Sequence, residues 1–188
     1  MKWRTSRGPA NNNHPGRVAR NWALDCQRGC TVATWKEFAD ADPALAEAGS
    51  NQLFQYGVGL AFLATVRRDG SPRLHPVCPV LSGSHLYILV TPSSPKRMDL
   101  QRDGRYSLQA FPQDRPDSDE FYLSGIAHLV KDSDINSAVL ADAKHHASAD
   151  EIPFELLIER AMLTTWDGFG TSEYRSKHTI WKVQDGIT

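Results

Sequence analysis

The sequence predicts a mainly β fold of the α+β kind, an antiparallel barrel or sandwich with a few helices on its outside. Three observations carry this prediction. Short apolar runs of strand character recur from residue 60 onward, most are joined by tight-turn signals, and the helical stretches among them are few and short. At 188 residues the chain has room for one domain with a proper core.

Composition narrows the class. Hydrophobic residues make up 40% and charged residues 23%, ordinary globular usage. With 21 Lys+Arg against 22 Asp+Glu, the net charge of -1 gives no electrostatic case for nucleic acid. No apolar run approaches the ~20 residues of a bilayer span, and the first residues lack the apolar centre of a signal peptide. No membrane partner and a cytoplasmic location are therefore expected. Cys26, Cys30 and Cys78 make neither a disulfide framework nor a metal-ligand set with the histidines, so no metal is expected.

Residues 1–30 stand apart. The stretch Gly8-Pro9-Ala10-Asn11-Asn12-Asn13-His14-Pro15-Gly16 is turn-rich without hydrophobic period, which predicts a loosely ordered tail. Arg4, Arg7, Arg17 and Arg20 would also suit a transit peptide, but a clear apolar face is missing. The domain proper is then 31–188. From Thr34 the pattern is helical: Asp42 caps a helix with Pro43 at its first position, Leu45, Ala48, Gln52 and Tyr56 follow at helical spacing, and Gly57 supplies the stop.

A strand over 60–66 comes next, closed by the hairpin signal Asp69-Gly70. Residues 73–81 return as a strand, Gly83 turns, and 85–91 form a third. A short helix covers about 95–102 and ends near Gly104. Strands follow over 106–111 and 120–130, joined by the polar loop 112–118, and 133–145 reads as a helix. Two long strands over 154–166 and 174–183 close the domain around Asp167-Gly168-Phe169-Gly170. There is no internal repeat and no glycine-rich phosphate loop; Gly57-Val58-Gly59 leads into a strand, the wrong context for dinucleotide binding.

Chemistry concentrates in Thr91-Pro92-Ser93-Ser94-Pro95-Lys96-Arg97-Met98-Asp99. Ser94 is a good cap and Pro95 fits the first helical position, so Lys96 and Arg97 fall in the first turn. Cations there oppose the helix dipole. The arrangement makes sense if an anion lies at the helix start, where backbone N–H groups, hydroxyls and two cations would converge on a phosphate; the alternative is that both side chains point to water. In Arg73-Leu74-His75-Pro76-Val77-Cys78-Pro79-Val80, prolines three apart remove a donor from each side of a strand, so this segment is an edge, a bulge or a ligand-facing rim. Arg73, His75 and Val77 share one face of it.

Trp166, Tyr174, Arg175, Lys177, His178 and Trp181 form a third group, suited to a planar anionic ligand or a subunit contact, and equally to ordinary half-buried strands. His145-His146 closes a helix, where the dipole favours histidine. Asp117-Ser118-Asp119-Glu120 reads as a solvated loop, Cys78 as a small apolar filler, and Ser124-Gly125 lacks the setting of a nucleophile. No Ser/His/Asp set stands out; His75 is the one side chain with acid–base potential.

Three quoted stretches, Gly59-Leu60-Ala61-Phe62-Leu63-Ala64-Thr65-Val66, Asp69-Gly70-Ser71-Pro72-Arg73-Leu74-His75-Pro76-Val77 and Ser94-Pro95-Lys96-Arg97-Met98-Asp99-Leu100, carry a resemblance. With Arg105-Tyr106-Ser107-Leu108 and Glu120-Phe121-Tyr122-Leu123-Ser124-Gly125-Ile126-Ala127 in the same order, they resemble the FMN-binding split barrel of the pyridoxamine 5′-phosphate oxidase-like superfamily. The likeness covers residues 54–130 well and 154–183 more loosely.

The resemblance implies a six-stranded antiparallel split β-barrel with peripheral helices, a homodimer with flavin sites between its subunits. It implies that the strand carrying Arg73, His75, Pro76, Val77 and Cys78 lines the flavin ring, and that Thr91, Ser93, Lys96 and Arg97 hold the phosphate. Glu120 stands where a flavin-contacting glutamine often occurs, and Trp166 and Arg175 match contacts from the partner subunit. Val80 occupies the place of a substrate-phosphate lysine, so vitamin B6 oxidation is not implied. The expected activity is an FMN-dependent oxidoreductase acting on a small molecule, with the deazaflavin F420 as an alternative cofactor and a non-catalytic flavin or haem binder as the rival of another class.

Overall fold

A computed structural model describes residues 31–113, 118–145 and 147–183. The expected tail over 1–30, with Cys26 and Cys30, lies outside the described residues, as do most of the polar loop at 114–117 and His146.

Two short helices open the described chain. Helix α1 (Trp35–Ala41) begins at Thr34, whose hydroxyl accepts from the Glu37 amide while the Glu37 carboxylate accepts from the Thr34 amide. Helix α2 (Pro43–Leu53) is capped by Asp42, which accepts from the Leu45 amide, with Pro43 at its first position as the sequence predicts. It ends at Leu53, earlier than the predicted stop at Gly57; Gly57 sits beyond it at φ +78° in the turn that leads to the first strand.

The strands are β1 (Ala61–Val66), β2 (Pro72–Val77), β3 (Pro79–Ser82), β4 (His85–Val90), β5 (Arg105–Ala110), β6 (Glu120–Leu129), β7 (Ile152–Asp167) and β8 (Arg175–Lys182). Helix α3 (Pro95–Arg102) stands between β4 and β5, and α4 (Ser133–Asp142) between β6 and β7. All pairings are antiparallel, in one sheet of order β2-β1-β5-β6-β7-β4-β3 curled into a half-barrel, with β8 added to β7. The mainly β split barrel with peripheral helices is thus as expected, but it has eight strands where the resemblance implies six and the residue pattern seven.

Two features account for the difference. The predicted strand 73–81 is two strands: the chain leaves one margin of the sheet at Val77 and joins the opposite margin at Pro79, with Cys78 alone between them. This handover crosses the slit where the barrel does not close by hydrogen bonds. Gly59 lies against it, since a Cβ there would stand 2.0 Å from the Pro79 carbonyl oxygen. The other feature is the length of β7. Its 152–155 segment pairs with β4 and its 160–167 segment with β8, along the margin opposite β6.

The concave face buries Leu63, Leu108, Phe121, Leu123, Phe154 and Ile158, and α1 and α2 close over it with Trp35, Phe38, Leu45 and Leu53. Removing such side chains from water supplies about 1.5–3 kcal/mol each. A smaller apolar cluster on the other face joins Val80, Tyr87 and Leu89 to Val139 of α4. Between β6 and β7 the register slips at Ser124/Gly125, where a Cβ on Gly125 would lie 2.0 Å from the Leu157 carbonyl oxygen. No helix among the described residues is long and apolar enough to cross a membrane.

Candidate functional site

The sheet order makes β2 an edge strand, paired only with β1. That is where a strand containing Pro72 and Pro76 belongs, because no second neighbour needs the missing N–H. Burial alternates along it: Arg73 and His75 are half-buried and Val77 is buried, while Leu74 and Pro76 face solvent. The shared face of Arg73, His75 and Val77 turns toward α3, as the strand period predicts.

Helix α3 begins as expected, with Ser94 at the cap position and Pro95 first in the helix. The Ser94 side chain makes no capping hydrogen bond and no acidic residue occupies the first turn, so the positive end of the dipole is left to Lys96 and Arg97. Both are half-buried. Arg97 donates through Nη1 to the Pro92 carbonyl at 3.0 Å, while its Nε is shielded from solvent with no hydrogen-bond partner. Burial pushes the Lys96 ammonium below its usual range, against the pull of the Glu151 carboxylate and Cys78. Thr91 and Ser93 lie exposed in the loop that leads into the helix.

Sequence reasoning assigned no role to the residue that fixes this group. Asp99, 3% exposed, accepts from Arg73 Nε at 2.6 Å, from the Thr65 hydroxyl at 3.1 Å and from Arg102 at 3.3 Å. Burial pushes its carboxyl up, but the bonds from Arg73, Thr65 and Arg102 and the Arg73 charge outweigh this and hold it below the usual carboxylate range. Arg102 also donates to the Val66 carbonyl. Arg73 is therefore a tether between β2 and α3, and its charge is already balanced. The signal available in the sequence was an acid one turn beyond the basic pair, too common to stand out.

His75 sits between these cations. Burial first, then Lys96 and Arg73, push its imidazole below the usual range, and its Nε2 is shielded with no hydrogen-bond partner. Cys78, at the handover, is half-buried; burial and Glu151 raise its thiol, partly opposed by Lys96. Arg73, His75, Cys78 and Lys96 thus gather at one place, with Arg97 beside Lys96 in the chain and bonded to the Pro92 carbonyl.

Glu120, Trp166 and Arg175 do not join them within one chain. Glu120 opens β6 and pairs with Thr164, three strand steps from β2, about 14 Å along the sheet. Trp166 stacks on Tyr174 with ring centres 5.2 Å apart, and Arg175 stands exposed opposite Asp167. The C-terminal aromatic and basic group divides further. Trp181 packs on Phe38 at 4.9 Å, His178 bonds the Thr164 hydroxyl at 3.0 Å, and Lys177 faces solvent.

Two clefts of about 260 Å³ flank this region without coinciding with it. One lies between Gly59, Pro79 and Lys144, the other along Val66, Pro72 and Arg105. Among the described residues no group of histidine, cysteine and acidic side chains could hold a metal ion.

No family model and no curated protein matches the chain. Solved structures do. A haem-binding protein from Mycobacterium smegmatis matches with a TM-score of 0.52 at 20% identity, over 70% of this chain and 57% of its own, so the chain spans little more than half of that protein's length. A candidate pyridoxamine 5′-phosphate oxidase from Listeria innocua matches with a TM-score of 0.50 at 20% identity, over 62% of this chain and 95% of its own. A candidate 5-nitroimidazole antibiotic resistance protein from Bacteroides thetaiotaomicron gives a TM-score of 0.51 at 12% identity, over 61% and 80% of the two chains. At these identities the likeness is one of fold, and the fold is the split barrel of the pyridoxamine 5′-phosphate oxidase-like proteins.

Proposed function

On this split barrel, we propose that the chain binds FMN and works as a flavin-dependent oxidoreductase on a small molecule in the cytoplasm. The observation that carries the reading is the gathering of two half-buried cations, Lys96 and Arg97, at the uncapped start of α3 beside the unpartnered Nε2 of His75. Half-buried cations at the positive end of a helix are unfavourable unless an anion neutralises them. A phosphate supplies that charge, and the residues present fit it. Lys96 and Arg97, with the hydroxyls of Thr91 and Ser93, would hold the phosphate. The β2 edge from Arg73 to Cys78 would line the ring, with Val77 supplying apolar contact and His75 a neutral hydrogen-bonding group. When bound, the flavin supplies the electron-transfer chemistry. The chain positions it, and His75 is the side chain able to hold or move a proton there.

The reading includes a homodimer. A row of directly paired residues, Pro76–Phe62–Gln109–Tyr122–Met162–Ile180, crosses six strands on the convex face, and Ile180 and Leu74 beside it are 47% and 63% exposed. Residues 175–180 of β8 are exposed on both faces, an unfavourable state for a ribbon carrying Ile180 beside the exposed Tyr174. A second copy laid on this face covers the row and brings Glu120, Trp166 and Arg175 of one subunit toward the basic group of the other.

Lys96→Glu tests the reading. Purified wild-type protein is expected to show flavin absorbance and to release FMN on denaturation, and the variant to lose it while keeping its fold. Wild-type protein that takes up no FMN overturns the reading. Haem is the second reading, favoured by the same observation on His75: its Nε2, without a hydrogen-bond partner, would be the nitrogen that holds the iron. A haem absorption band abolished by His75→Ala distinguishes it.

A further inference from the structure

Glu151 stands across from the loop that carries the basic group. Val90 and Ile152 are register partners at the end of the β4–β7 ladder, so Thr91 and Glu151, one residue beyond, face each other at its open end. The Glu151 side chain is half-buried, and its Oε2 is shielded from solvent with no hydrogen-bond partner. It lies within electrostatic reach of Lys96 and Cys78. Among the described residues no salt bridge joins Lys96 to Glu151, so the two charges act on each other without direct contact.

A shielded carboxylate oxygen without a donor costs desolvation and returns no packing or bonding. Its effect is on charge. Arg73 is balanced by Asp99, which leaves Lys96 and Arg97 to attract an anion, and Glu151 subtracts one of those two charges. A phosphate monoester carries close to two negative charges at neutral pH. Such a ligand meets a set of side chains whose net charge is about half of what Lys96 and Arg97 alone would offer.

We propose that Glu151 is a specificity-setting residue of this basic group: its carboxylate balances Lys96 and weakens the preference for a doubly charged phosphate monoester over a neutral or singly charged ligand tail. The inference rests on the flavin reading above and deepens it by naming the residue that limits how strongly the FMN phosphate is preferred.

The test compares FMN with riboflavin, the same ring without a phosphate, by flavin fluorescence titration of the full chain. Glu151→Gln keeps the shape and removes the charge. It is expected to bind FMN about ten-fold more tightly than wild type, with riboflavin affinity unchanged. In a Lys96→Met background the gain is expected to vanish. Glu151→Ser, paired with a melting curve, separates charge from folding: the same gain in FMN affinity is expected. Equal FMN affinity of wild type and Glu151→Gln overturns the inference and leaves the flavin reading standing, as does an equal gain for riboflavin. Absence of binding of either flavin by either protein overturns the flavin reading itself, and the inference with it.

Discussion

Arg73 Nε donates to Asp99 Oδ2 at 2.6 Å, which fastens the barrel's edge strand to the helix that bears Lys96 and Arg97. The pair is mostly buried and Asp99 takes two further donors, so neither residue is a surface ornament. Removing the carboxylate leaves Arg73 without its counter-charge and Thr65 without an acceptor. Asp99→Ala is expected to lower stability by about 3 kcal/mol in urea unfolding. It is also expected to loosen β2 at 72–77, seen as faster amide exchange there.

The same site sets an acid limit on stability. Asp99 is held below its unfolded value, so its contribution is present above the ordinary carboxylate range and is lost as pH falls through its lowered folded value. His75 is also held below its unfolded value. Between that folded value and the ordinary imidazole range the unfolded chain binds the extra proton, so stability falls as pH drops below that range. Melting temperature is expected to decline first as pH falls through the imidazole range and again in the carboxylate range. His75→Gln is expected to flatten the first decline and leave the second.

The slit of the barrel depends on Gly59. A methyl group there meets the Pro79 carbonyl at 2.0 Å, a backbone atom that no side-chain rotation can relieve. Gly59→Ala is expected to cost about 3 kcal/mol in chemical denaturation, whereas Gly59 sits at no positive φ and the cost is steric alone.

The convex row gives a test of assembly. Ile180→Lys places a charge at the end of that row, on a strand already exposed, so the single chain is expected to lose less than 0.5 kcal/mol. Light scattering is expected to show a shift from dimer to monomer, with a fall in bound flavin in parallel.

Much of this was legible in the sequence because its signals are local. Pro76 and Pro79 marked an edge, Asp69-Gly70 the first hairpin, Asp42-Pro43 a helix start, and Pro95 with the basic pair the opening of α3. What escaped was set by distance. The break at Cys78 is imposed by barrel closure, since residues 73–77 and 79–81 both read as strand and nothing at 78 names a new partner. Asp99 lies 26 residues from Arg73, and Glu151 comes within electrostatic reach of Lys96 only because β7 pairs with β4. Gly57 reads as a helix stop although the helix ends at Leu53, because the turn at 54–57 keeps the residues of a helix end while its Gly57 amide bonds the Phe54 carbonyl in a tighter turn.

The passage of the chain through Cys78 has a mechanical consequence. The margin that carries His75 and the margin that carries Val80 are linked by covalent bonds across a gap that the hydrogen-bond ladder leaves open. Val80 in turn packs with Val139 of α4 on the far side of the wall. His75 and the wall that seats α4 are therefore joined through five residues of backbone, a far shorter route than the seven strands of the ladder.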